Sequence, residues 1–229
     1  MRDTWSIFDV IGPVMMGPSS SHTAGACKLG YMAGIIFGKK PTKCVLRLHG
    51  SFGEVYQGHR TDVALVGGIL GMLPSDTNLK DAFKKAKAAH IEIEVVPTNL
   101  GNGFHPNTVD FVLYSGNDRM RIIGSSLGGG KVVISEIDKV NVSLTGSYSS
   151  LLICYDNTKF NLSHIMKYAA EQNITIVKME TTQYKDRSLI DIEIREQFET
   201  PIVHEIEVFE GVHWARFVNH ISHFTEVGL

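Results

Sequence analysis

Apolar and polar positions along the 229-residue chain change period several times, and each change predicts an element. Ser6 to Val14 is a short apolar opening. Thr23 to about Gly38 repeats apolar residues at helical spacing, is rich in Ala, Gly and Met, and stops at Lys39-Lys40-Pro41-Thr42. Cys44-Val45-Leu46-Arg47-Leu48-His49 alternates with period two and predicts a strand, ending in a loop at Gly50-Ser51-Phe52-Gly53. His59-Arg60-Thr61-Asp62 then opens a helix over Val63 to Leu73 that is apolar all round and holds Gly67, Gly68 and Gly71. Such a helix is either fully buried or covered by a partner. Pro74 to Thr77 is a turn and cap, and Asn78 to His90 predicts an amphipathic, Lys-rich helix. Ile91 to Val96 predicts a strand, followed by a Gly/Asn-rich loop ending in His105-Pro106-Asn107. Thr108 to Ser115 and Arg119 to Ile123 predict a hairpin, Gly124 to Gly130 a loop, and Lys131 to Ile137 a strand.

After about Lys139 the character changes. Val140 to Ser150 predicts a connector or strand extension. Strand (Leu151–Tyr155), helix (Leu162–Glu171), strand (Thr175–Thr182), strand (Ser188–Arg195), helix (Pro201–Phe209) and strand (Val212–Phe217) then follow. That βαββαβ order is the ferredoxin-like split arrangement. Ile190, Ile192 and Ile194 alternate with Asp191, Glu193 and Arg195, as expected of a sheet with one helix-covered face. The expectation is an α+β chain of two domains, residues 1–139 and 148–222.

Composition narrows the class. Hydrophobic residues make 43% and charged residues 20% of the chain, with a net charge of -2 and no basic block, which argues against a nucleic-acid partner. Val63 to Leu73 is too short to cross a bilayer, and the first residues lack a signal-peptide core, so the expected location is the cytoplasm and no membrane partner is expected. Cys27, Cys44 and Cys154 are three and widely spaced, which suits neither a disulfide framework nor a metal or iron–sulfur site within this chain. Cys27 alone lies near candidate chemistry.

That chemistry starts at Gly17-Pro18-Ser19-Ser20-Ser21-His22-Thr23. Gly-Pro interrupts regular structure, and the hydroxyls suit the cap of the helix that follows. A helix N-terminus so furnished favours an anion such as a carboxylate, although a plain capped helix would show the same pattern. Of ten histidines, His22, His49, His59 and His105 sit beside Gly, Pro, Ser or Asn at ends of predicted elements, where imidazoles are placed for proton transfer. Asp62 could orient an imidazole or simply face the helix dipole, and Gly128 to Gly130 could approach a ligand closely or act as a hinge. Ser19 to His22 are too near in sequence to assume a triad, so a serine hydrolase finds little support.

Five motifs together resemble one family: Gly17 to Thr23, His49-Gly50-Ser51, Gly58-His59-Arg60-Thr61-Asp62, His105-x-Asn107 and Ser126-Leu127-Gly128-Gly129-Gly130. The set is similar to the iron–sulfur-dependent L-serine dehydratases, most closely the separate β subunit of their two-chain form, over roughly residues 5 to 137. The second half resembles an ACT domain. The resemblance implies an N-terminal mixed α/β domain, similar to the regulatory serine-binding domain of some phosphoglycerate dehydrogenases. It implies a lyase that converts L-serine to pyruvate and ammonia, with a [4Fe-4S] cluster held by cysteines of an α subunit, and a possible homodimer. Carried onto this chain, it makes His22, His59 and His105 candidates for base or hydroxyl-side acid, without saying which does what. Ser19, Ser20, Ser21, Thr23, His49, Ser51, Thr61, Asp62, Asn107, Gly128 and Gly129 are then candidate substrate ligands, and no residue here is expected to bind metal. The turn Asp156-Asn157-Thr158-Lys159-Phe160-Asn161 departs from the ACT pattern by lacking glycine, so a dimerising role stands beside effector binding. A non-catalytic serine sensor that regulates a partner is the alternative from another class.

Overall fold

Strand β1 (Lys43–His49) is the axis of the first half of the molecule, because it pairs on both edges. It runs parallel to β2 (Glu92–Pro97) and antiparallel to β3 (Thr108–Ser115), which continues through β4 (Asp118–Gly128) to β5 (Lys131–Ile137), giving the order β2-β1-β3-β4-β5. Its period-two pattern has the expected result: Cys44, Leu46 and Leu48 are fully buried on one face. The computed structural model describes residues 14–195 and 201–221, without the side chains of 201 and 202, and separates them into two compact units, 14–138 and 139–221. The apolar opening expected at Ser6 to Val14 lies outside the described residues as far as position 13.

In the first unit, α1 (Ala26–Phe37) and α3 (Thr61–Ile69) touch backbone to backbone. A Cβ at Gly30 would meet the Leu65 carbonyl, and one at Gly68 would meet the Cys27 carbonyl. The apolar helix is therefore core, with Ala64, Leu65, Val66 and Ile69 buried, and it ends at Ile69 instead of running on to Leu73. Gly71, at φ +83°, turns the chain out of it. Helix α4 (Ala82–Ala88) follows a 3₁₀ turn, Thr77–Asp81, whose N-cap Asp76 accepts from Asn78 N–H at 2.7 Å.

Three sequence expectations need correction here. The loop expected at Gly50-Ser51-Phe52-Gly53 is the start of a helix, α2 (Ser51–His59). Gly50, at φ +54°, makes the turn into it, and Gly53 is glycine because a Cβ there would lie 2.6 Å from the Leu48 carbonyl oxygen. The loop expected at Gly124 to Gly130 is strand as far as Gly128. Small polar residues can run on as strand there because Ser125 Oγ shares a hydrogen with Thr108 Oγ1 at 2.7 Å and Gly124 leaves room for Leu29 and Ile134. The helix expected to begin near Thr23 begins at Ser20, as a π-type turn, Ser20–Gly25, leading into α1.

The second unit contains β6 (Val140–Leu144), β7 (Ser149–Asp156), α5 (Leu162–Glu171), β8 (Ile176–Tyr184), β9 (Arg187–Ile194), α6 (Pro201–Glu207) and β10 (Val212–Val218). The last four strands named pair antiparallel in the order β10-β7-β9-β8. Leu151, Ile153, Ile190, Ile192 and Ile194 pack with Ile165, Val203, Ile206 and Ala215 into one core. On the opposite face, the expected polar exposure fails at Asp191, which is buried. The glycine-free turn after β7 closes on itself: Asp156 accepts from Thr158, Asn157 Oδ1 accepts from Ser188 Oγ at 2.6 Å, and Asn161 caps α5 by accepting from Ser163 N–H at 2.9 Å. Among the described residues, no helix is long and apolar enough to cross a membrane.

Candidate functional site

Ser19 has extended backbone and accepts from His22 N–H at 3.2 Å, so the serine run caps the π-type turn and fixes where His22 leaves it. The imidazole is then held at both nitrogens. Nδ1 lies 3.1 Å from Ser21 Oγ and 3.4 Å from Ser19 Oγ, and Nε2 lies 3.2 Å from Ser51 Oγ at the start of α2. Phe52, fully buried, sets its ring edge-on to His22 at 5.2 Å. His59, at the far end of the same helix, lies 4.8 Å from His22 between ring centroids. Helix α2 therefore supplies three groups to one imidazole, Ser51, Phe52 and His59.

His22 is 9% exposed. Burial holds its pKa below the ordinary imidazole range, the nearby His59 lowers it further, and the hydrogen bond to Ser51 partly opposes both. The ring is thus neutral near neutral pH and able to take a proton. His59 Nδ1, Thr23 Oγ1 and Thr61 Oγ1 are buried with no hydrogen-bond partner among the described residues. Buried polar atoms of this kind are uncommon in folded proteins and often mark a place where a ligand bonds. Thr23 also lines a cavity of about 180 Å³ whose wall includes Gly17, Arg60 and Lys80, two of them cationic. Gly17 is glycine because a Cβ would overlap the Thr23 side chain.

The remaining candidates fall into two groups. The 105–107 loop is tied to the His22 wall through its backbone. Pro106 O accepts from Phe52 N–H at 3.3 Å, Asn107 O accepts from Ser126 N–H at 2.9 Å, and Ser126 Oγ donates to Ser21 O at 3.0 Å. The His105 ring itself is exposed, its Nδ1 accepting from Asn107 N–H at 3.1 Å. His49 Nδ1 accepts from Leu100 N–H at 3.1 Å and steadies the loop before it. Asp62 Oδ1 takes Val63 N–H at 2.8 Å in the first turn of α3 and does not orient an imidazole; burial raises its pKa. Gly128 and Gly129, at φ +99° and +60°, form the β4–β5 turn, where Gly128 faces open space. Ser20 lies inside the π-type turn, half-buried.

Ser126 and Phe52 are the members that residue type alone does not single out. A signal for Ser126 is present, a small polar residue in a strand between glycines where a buried hydroxyl must find a partner. Phe52 stands as the one apolar residue in Gly50-Ser51-Phe52-Gly53.

The donor set does not fit an iron–sulfur cluster in this chain. Cys27, Cys44 and Cys154 are buried; Cys27 Sγ donates to the Met72 carbonyl, and burial pushes the Cys27 and Cys44 thiols up to about 12, whereas cluster ligands are thiolates. Among the described residues, no group of three or more His, Cys, Asp and Glu could hold a metal ion.

Residues 6–137 match the family described as "Serine dehydratase beta chain". The chain is 38% identical to the L-serine dehydratase, beta chain, of Peptoniphilus asaccharolyticus over 83% of its own length and 86% of that protein's. It is 35% identical to the probable L-serine dehydratase, beta chain, of Bacillus subtilis (strain 168), over 90% and 94%. Against L-serine dehydratase 2 of Escherichia coli (strain K12) it is 31% identical over 57% of this chain but only 30% of that one. The chain belongs to the serine dehydratase beta chain family.

Proposed function

We propose that this chain is the β subunit of an L-serine ammonia-lyase and supplies the histidine wall of its active site. The observation that carries this reading is the His22 imidazole, buried and held at both nitrogens by hydroxyls beside His59, where burial favours its neutral form. In the reaction, the Cα proton and the β-hydroxyl of L-serine leave as water to give 2-aminoacrylate, which tautomerises to the imine. A second water then releases pyruvate and ammonia. Two serine hydroxyls occupy His22 Nδ1, so Nε2, shared with Ser51, is the atom that exchanges the proton, and His59 is the neighbouring group able to pass it on. Thr23, Arg60 and Lys80 around the adjoining cavity suit the substrate carboxylate.

The [4Fe-4S] cluster is assigned to an α subunit, since the cysteines here do not fit it. The short coverage of the longer Escherichia coli chain supports a partner that supplies the remainder. We also infer that the second unit is an ACT domain; the antiparallel order β10-β7-β9-β8 supports this. The committed side chains of Asn157 and Asn161 favour a dimerising role over effector binding at that turn.

The test is anaerobic co-production with a serine dehydratase α chain, followed by measurement of pyruvate from L-serine. Pyruvate formation that requires both chains is expected. A pair that assembles with its cluster and forms no pyruvate from any β-hydroxy amino acid overturns the reading. Tight serine binding by the isolated chain would favour the sensor instead.

A further inference from the structure

The cavity beside Thr23 has a wall that a substrate amino acid does not fully explain. It combines two exposed cations, Arg60 and Lys80, with an apolar surface that includes Val63, Ala64 and Leu79, and it contains no aspartate or glutamate. Arg60 donates to the Lys80 carbonyl at 3.2 Å, and neither cation has an ion-pair partner among the described residues. Asp62 feels the Arg60 charge, but its Oδ1 is taken by Val63 N–H.

The backbone adds a second observation. Arg60 joins α2 to α3 in the left-handed conformation, at φ +56° and ψ +36°, with its N–H capping α2 on the Gln57 and Tyr56 carbonyls. Any residue with a Cβ is strained there, and glycine is the residue that fits such a corner. An arginine at this corner instead puts a guanidinium at the cavity wall, where the Lys80 carbonyl fixes it. Strain of this kind gathers at ligand clamps.

We propose that this cavity takes a short 2-oxo monocarboxylate, with pyruvate as the first such ligand, and that the enzyme is therefore competitively inhibited by its own product. Arg60 receives the carboxylate through its remaining N–H donors, Lys80 adds its charge, and the apolar surface meets the short carbon tail. The substrate fits less well. An amino acid brings an ammonium group into the field of two cations, with no carboxylate in the wall to receive it. L-Serine thus enters carboxylate-first and only so far, whereas pyruvate has no ammonium to keep out. The volume of about 180 Å³ is that of roughly six water molecules, enough for an acid of about three to five carbons. Inorganic phosphate matches the charge but would set polar oxygens against Val63, Ala64 and Leu79. The cavity's chemistry stands by itself; the identification of its ligand as the product rests on the lyase reading above.

Ligand-observed NMR on the full-length chain, with pyruvate, 2-oxobutyrate, L-serine and inorganic phosphate as probes, tests this. Pyruvate is expected to bind more tightly than L-serine or phosphate, and 2-oxobutyrate about fourfold more tightly than pyruvate, the worth of one buried methylene. Arg60→Gly keeps the left-handed corner, so it is expected to fold with an unlowered Tm and to weaken pyruvate binding about tenfold or more. Absence of pyruvate binding in the millimolar range overturns the proposal. So does serine or phosphate binding as tightly as pyruvate, or an affinity unchanged in Arg60→Gly. Should that variant fail to fold, Lys80→Ala, at an exposed position, is expected to weaken pyruvate binding several-fold, and an unchanged value overturns the proposal. In the assembled pair, pyruvate is expected to raise the KM for L-serine without lowering kcat. A pair that forms no pyruvate, with a β chain that still binds it, defeats the lyase reading alone. An active pair whose β chain does not bind pyruvate defeats this proposal alone.

Discussion

His22 Nε2 and Ser51 Oγ stand 3.2 Å apart although 29 residues separate them in sequence. This bond joins the serine-capped turn to the first residue of α2, and with it the two histidines of the site. If His22 is the proton acceptor, His22→Gln in the reconstituted enzyme lowers kcat by about 10²- to 10⁴-fold, the range for a general base, with the two chains still co-eluting on size exclusion. Ser51→Ala, which removes only the orienting hydroxyl, costs less, about 10- to 100-fold. Turnover within threefold of wild type for His22→Gln would sink the assignment.

The pH profile offers a separate check. His22 lies below the ordinary imidazole range because of burial first and His59 second. With His22 as the proposed base, its protonated, inactive form is confined to acid, and the acid limb of kcat/KM is expected below pH 6.5, the ordinary imidazole value. Removing a neighbour that can carry positive charge eases protonation, so His59→Gln is expected to move that limb to higher pH. A limb that stays in place separates the two rings energetically, and only burial would then account for His22.

A charged ladder crosses the sheet of the first unit, and its members should differ in cost. Asp110 is 1% exposed and takes two bonds from Arg121, at 2.9 and 3.1 Å, plus one from Arg47 at 3.3 Å. Arg121 also reaches Glu136 at 2.8 Å. Removing Arg121 leaves a buried carboxylate with one weaker partner, so Arg121→Ala costs about 3–5 kcal/mol. Arg47 is 43% exposed, and Arg47→Ala costs about 1 kcal/mol or less. Urea unfolding measures both, and equal losses would contradict the ordering.

Helices α1 and α3 have no room for a methyl group where they meet. A Cβ at Gly68 would strike the Cys27 carbonyl and sit 2.6 Å from Tyr31 N, both of them backbone atoms that cannot swing aside. Gly68→Ala is expected to destabilise by about 3 kcal/mol, despite alanine's better helix propensity. A rise in Tm would show that the helices can separate at no cost.

Asp191 gives a stability signature of its own. Its folded-state carboxyl keeps its proton to about 7, whereas an unfolded aspartate releases it near 3.8. Between those values the folded chain binds more protons, so stability falls as pH rises. The facing groups are Glu180 and Lys178 from β8, Glu193 from β9 and Ser150 from β7. Asp191→Asn is expected to stabilise by about 2–4 kcal/mol at pH 8 and to change little at pH 4. A variant equally stable relative to wild type at both pH values refutes the shift.

The sequence pattern makes the second unit readable because each of its elements is governed by local signals. Leu162–Glu171 matches its predicted bounds, with Asn161 as a visible cap and a clear apolar stripe following. The misses share a physical cause, a tertiary demand that writes itself as a glycine or a small polar residue. Gly53 looks like a loop residue, yet it is small because α2 presses on the end of β1. Ser125 and Ser126 look like a linker, yet each has a partner across the fold. At the site, the four loop histidines are recognisable by context. That His22 and His59 converge while the His105 ring stays exposed depends on α2, which those glycines conceal. Asp191 shows the limit of alternation, which sorts residues onto two faces without saying what covers the second.

The bond from Ser126 Oγ to Ser21 O spans 105 residues, and the one from His22 to Ser51 spans 29. Contacts of such separation carry a loop-closure cost that local structure does not. The histidine wall thus depends on both long-range contacts being made. A copy in which either contact is open has no organised histidine wall, so the site itself reports on the completed fold.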